Sequence, residues 1–193
     1  MQAAFHVEHS KFQPLLNCPI LTVRVLTKSI FAFVGKYRKI PNLLQYVSLQ
    51  KEDVVCIASH LTDVLQSGTS SNSTIFSSVE EILYSLQSLT SYPSNIKHCG
   101  LLLLLDTLIS TCSFGDKTVA RLAMETLWNL SFDPNVALAI INHESAIHTL
   151  QKLVFDSSLA ASILWTLGHG KALSKSRICM AYNLKYACIC IQW

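Results

Sequence analysis

Charge is scarce in this chain: 14% of its residues are Asp, Glu, Lys or Arg, while half are hydrophobic. A disordered chain needs the opposite balance, so this one is read as folded. Strand signals are missing as well. No hairpin turn separates alternating runs, and no glycine-rich junction joins a strand-like run to a helix. Apolar runs of spanning length are also lacking, since a bilayer needs roughly 20 uncharged residues. The stretch from Pro19 to Gly35 is broken by Arg24 and Lys28, and that from Gly100 to Cys112 is short and holds Asp106. The first ten residues carry Glu8 and two histidines where a signal peptide has a basic and then an apolar segment. These features favour an intracellular chain, cytoplasmic or nuclear, with no membrane span.

Reaction chemistry is equally thin. Cysteines 18, 56, 99, 112, 179, 188 and 190 are odd in number in a chain long enough to build a core without crosslinks, so reduced thiols are expected. Cys188 and Cys190, drawn together with Cys179 and His169, lack the two-to-four-residue spacing that closes a zinc chelate. In His143-Glu144-Ser145-Ala146-Ile147-His148 the two histidines are one residue too far apart for the zinc protease motif. Gly168-His169-Gly170-Lys171 has neither the strand nor the Ser/Thr of a phosphate loop. No serine stands in a nucleophile elbow, and His60 on an amphipathic helix is expected to be a partly buried, satisfied histidine. Neither a catalytic residue nor a cofactor, metal or small-molecule substrate is expected, and the reading is of a chain that is not an enzyme. The sequons at Asn72 and Asn129 would matter only in a secreted protein.

What the chain does have is internal repetition. Leu122 to Leu130 overlays Leu159 to Leu167 at an offset of 37, with five of nine positions identical, Trp128 and Trp165 among them. A fainter copy places Leu86, Leu89, Thr90 and Pro93 ahead of Leu127, Leu130, Ser131 and Pro134 by 41. A period near 40 with helical patterning indicates a helical solenoid. Val119, Leu122, Ala123, Thr126, Leu127 and Leu130 form one helix face. Asp116 is placed to cap that helix, Asp133 followed by Pro134 to open the next, and Ser78 with Glu81 has capping-box spacing. The spacing predicts helices at roughly 20–34, 51–66, 78–91, 100–112, 117–132, 134–142, 146–155 and 158–168. The polar run from Ser67 to Thr74 is expected to be a flexible loop.

Ala120 to Ser131, then Phe132-Asp133-Pro134-Asn135, Ile140-Ile141 and Ser145-Ala146-Ile147 with Leu150 and Leu153, resembles the armadillo repeat. The likeness is fairly specific over 117–168, weaker back to residue 51, and faint elsewhere. HEAT repeats, with two helices and similar packing, are the alternative. The resemblance implies an all-α, right-handed superhelix of about three repeats whose third helices line a concave groove. It also implies that an asparagine near the end of each third helix holds the backbone of an extended peptide. Asn129 matches that asparagine, Thr166 and Ser88 stand at its equivalents, and Glu125 stands where nuclear-import receptors carry a tryptophan. The ladder is thus interrupted on both sides of Asn129, which argues against tight binding of a nuclear localisation signal. Ser145 stands in place of the family's glycine. The 21 residues from Ser145 to Thr166, against 29 from Gly100 to Asn129, are expected to reflect a shortened turn.

Leu122, Glu125 and Asn129 fall near one helix face by their spacing, and asparagine both donates to and accepts from a peptide backbone. Candidate peptide-binding residues are therefore Asn129, Glu125, Leu122, Thr166 and Ser88. Trp128 and Trp165 are expected in the core, where stacked helix layers take large aromatics. Residues 1–50 carry a net charge of +5, 51–169 of −6, and 170–193 of +4. This suits an N-terminal helical cap (1–50), armadillo-like repeats (51–169) and an irregular C-terminal tail (170–193). The acidic centre favours partners with basic segments. The basic ends lack the arginine and aromatic interleaving of a nucleic-acid surface. The expected function is a non-enzymatic scaffold for a protein or peptide, the alternative being the regulatory array of a larger multidomain signalling enzyme. The apolar ending at Trp193 is that expected of a fragment of a longer array or a misread exon.

Overall fold

Helix after helix follows from the periodic leucines, and a computed structural model of the chain describes residues 11–37, 47–67 and 78–169. Among these residues there is no strand. Residues 11–16 are helical, followed by α1 (Leu21–Tyr37), α2 (Lys51–Ser67), α3 (Val79–Thr90), α4 (Pro93–Ile96), α5 (Leu102–Thr111), α6 (Lys117–Leu130), α7 (Pro134–Asn142), α8 (Ala146–Leu153) and α9 (Ser158–His169). None of these helices is long and apolar enough to cross a membrane. The chain divides into two compact units, Met1–His98 and Cys99–Trp193. The loop expected at 67–74 and the tail expected at 170–193 lie, apart from Ser67, outside the described residues.

In the first unit α1 packs against both α2 and α3, which also touch each other. The helix placed in the N-terminal cap thus packs directly on α2 and α3 within the first unit. Its core is aliphatic, with Val25, Val54, Ile57, Leu61, Ile82, Leu83, Leu86 and Leu89 all buried. The two charges that interrupt the apolar run of α1 have a partner. Arg24 Nε and Lys28 Nζ each donate to Asp53 at 2.7 Å, and the Gln50 N–H donates to the same carboxylate at 2.9 Å. Asp53 thus closes the start of α2 and ties it to α1, with its side chain fully buried. Burial would raise its carboxyl, but the Lys28 hydrogen bond, the Gln50 N–H and Arg24 outweigh that and hold it below the ordinary value of 3.8.

A second polar tie was not anticipated. Asn95, buried in the short α4, accepts from the Leu49 N–H at 2.9 Å and donates to the carbonyls of Val47 at 2.9 Å and Leu89 at 3.1 Å. Val47 and Leu49 are buried while Ser48 and Gln50 are exposed, the alternation of an extended chain. One asparagine thereby holds an extended segment by two backbone groups two residues apart.

In the second unit α6 packs against α5 and α9, α9 against α8, and α8 against α7. The expected caps form. Asp116 accepts from Thr118 N and Val119 N, and Asp133 from Asn135 N and Val136 N with Pro134 in the first turn. Ser78 does the same for α3 in the first unit, accepting from Glu81 N at 3.2 Å. Ser145 has φ −104° and ψ −12°, so that position makes no demand for glycine. The shortening between Ser145 and Thr166 lies mostly in the helices. α8 has 8 residues against 10 in α5, and Thr166 is the ninth residue of α9 where Asn129 is the thirteenth of α6.

Candidate functional site

The arc that α6 turns inward is fully used. Val119, Ala120, Leu122, Ala123, Met124, Thr126, Leu127 and Leu130 are all buried. Arg121, Glu125, Trp128 and, just beyond the helix end, Phe132 follow one another at steps of four, three and four, which puts them on the opposite side. Trp128 is 36% exposed and Phe132 61%, and their ring centroids are 5.8 Å apart. On α9, Trp165 occupies the matching repeat position and is 55% exposed. Both indoles had been expected in the core. The inward arc is already filled by aliphatic side chains, so the larger ring at each repeat is left on the outer face.

The expected peptide-binding residues divide accordingly. Glu125 is partly exposed and forms an ion pair with Arg121 at 2.5 Å. Asn129 is partly exposed beside Trp128. Thr166 is partly exposed on α9, its hydroxyl donating to the Ser162 carbonyl at 2.8 Å. Because α6 packs on α9, these three belong to neighbouring helices of one unit. Leu122 and Ser88 depart from expectation: Leu122 is 1% exposed and belongs to the core, and Ser88 is 0% exposed within α3. The Ser88 hydroxyl has no hydrogen-bond partner among the described residues. Neither can touch a ligand on the surface. Trp128, Phe132 and Trp165 are exposed instead, and the spacing of Trp128 from Arg121 and Glu125 already placed its indole on the polar side.

His143 Nε2 meets Asp106 of α5 at 2.5 Å, and its Nδ1 faces the Ser145 N–H at 3.3 Å and the Ser145 hydroxyl at 3.5 Å. These contacts tie the α7–α8 turn to α5. Burial pushes the thiols of Cys99 and Cys112 up to about 12, which leaves both protonated and unreactive. Among the described residues no group of three His, Cys, Asp or Glu side chains comes together as a metal ion requires. Cys179, Cys188 and Cys190 lie outside those residues. In the first unit a shallow cleft of about 460 Å³ runs between Leu26, Ile30 and Phe33 of α1 and Glu81, Tyr84 and Ser85 of α3.

Comparison with known proteins returns no match to this chain, whether against family models, curated proteins or solved structures.

Proposed function

We propose that this chain is a non-enzymatic, armadillo-like helical-repeat scaffold that binds an extended segment of a protein partner across the α6–α9 face. The reading is carried by one observation: tryptophans at the same position of two sequence copies are both displayed to solvent on helices that pack together. Exposed large aromatics rimmed by polar groups are a feature of interaction sites. Within the second unit α7, α8 and α9 follow one another and end in the longest of the three, the order of helices in an armadillo-like repeat. Asn129, which follows Trp128 on α6, is partly exposed, and Asn95 illustrates within the same molecule how an asparagine holds extended backbone from both sides.

The test uses the full chain as bait beside a variant carrying Asn129→Ala and Glu125→Ala. A partner retained by the native chain and lost by the variant, with helical circular dichroism unchanged, is the expected result. Equal retention by both would place the binding surface elsewhere.

A further inference from the structure

Hydroxyls within the helices of this chain have a regular partner. Thr27, Thr90, Thr107, Thr126 and Thr166 each donate to the carbonyl four residues back at 2.7–2.9 Å. Ser29 of α1 departs from that habit. It is 3% exposed, and its hydroxyl has no hydrogen-bond partner among the described residues. A buried hydroxyl left unbonded costs stability, so its presence calls for a physical reason. Ser29 also lines the shallow cleft between α1 and α3, together with Ser85. Ser88, whose buried hydroxyl is likewise unbonded, does not line this cleft.

The walls around that serine are largely apolar. Leu26, Ile30 and Phe33, spaced by four and three on α1, are 37%, 51% and 43% exposed, and Tyr84 of α3 supplies a further ring. The cleft volume of about 460 Å³ lies within the roughly 300–1,000 Å³ of small-molecule sites, which combine apolar walls with a few placed polar groups. A molecule with an apolar body would cover the exposed side chains and remove them from water. A serine hydroxyl turns between staggered positions about χ1, so a ligand oxygen seated over Ser29 can supply the missing hydrogen bond. The Glu81 carboxylate in the lining disfavours anions, and any charge would lose hydration against these walls, so the fitting ligand is neutral.

We propose that the α1–α3 cleft binds a small neutral molecule with an apolar body and one hydroxyl or carbonyl oxygen that bonds Ser29. The site lies within the first unit and is independent of the α6–α9 face. The experiment follows backbone amide shifts of the full chain during titration with β-naphthol and, separately, with β-methylnaphthalene, which has the same ring body and no oxygen. β-Naphthol is expected to bind saturably, with shifts centred on residues 26–33 and 81–85. In Ser29→Ala its affinity relative to that of β-methylnaphthalene should fall about three- to tenfold, the worth of one hydrogen bond. Comparing the two probes in both proteins cancels their unequal transfer from water. The Tm of Ser29→Ala should be unchanged or raised, because the hydroxyl bonds nothing in the fold. A relative affinity unmoved by Ser29→Ala would overturn the proposal. Shifts centred elsewhere, no saturable binding of β-naphthol, or a lowered Tm marking a structural hydroxyl would overturn it as well.

Discussion

Asp53 is the residue on which the first unit depends most sharply, because two cations and a helix start share one buried carboxylate. Asp53→Asn leaves the Lys28 ammonium buried without its counter-charge, and a loss of about 3–5 kcal/mol is expected in chemical denaturation. The pH dependence follows from the lowered carboxyl. Its stabilisation is whole above the unfolded-state value near 3.8 and is lost as pH falls through the lower folded value. Native stability should therefore fall more steeply below about pH 4 than that of Asp53→Asn, which lacks this group. Asn95→Ala strands the Leu49 N–H and the Val47 carbonyl inside the protein, for an expected cost of about 2–4 kcal/mol by the same measurement. The tryptophans make the contrasting case. Trp128→Ser and Trp165→Ser should each change stability by no more than about 1 kcal/mol, while the fully buried Leu127→Ala should cost about 2–5 kcal/mol. A tryptophan variant as damaging as Leu127→Ala would return the indoles to the core.

Individual helices were the most legible feature of the sequence. Asp116 and Asp133 announce the starts of α6 and α7 because a short acceptor before a run of unpaired N–H groups has a local job that needs no tertiary information. Replacing either by alanine should lower stability by about 1 kcal/mol, with exchange of the Thr118 and Val119 or the Asn135 and Val136 amides accelerated. The four-residue α4 was missed because a helix this short, with Pro93 in its first turn, shows no periodicity. Arg24 and Lys28 were seen only as charges interrupting an apolar run. Their partner lies on the next helix, and no local pattern places Asp53 against them. Trp128 was misplaced for a different reason. Residue type was allowed to outweigh spacing, although the steps from Arg121 and Glu125 already put it on the polar side.

At the scale of the molecule, the sequence showed that the fold is helical and that two stretches repeat. It did not show where the chain divides. The packing of α1 onto α2 and α3, and the clamp of Asn95 on residues 47–49, are long-range contacts that unite the first ninety-eight residues into one body. The candidate site was half legible. Asn129, Glu125 and Thr166 reach the surface of α6 and α9, while Leu122 and Ser88 are enclosed by side chains of neighbouring helices that no single-helix argument includes. The α6–α9 face, with its two displayed indoles, is the proposed place where this protein meets its partner. The most direct measurement is residue-resolved hydroxyl-radical footprinting of the full chain, free and with a bound partner segment. Trp128, Phe132 and Trp165 are expected to be oxidised readily in the free protein and protected together in the complex. Indoles that resist oxidation when free, or protection confined to other residues, would contradict it.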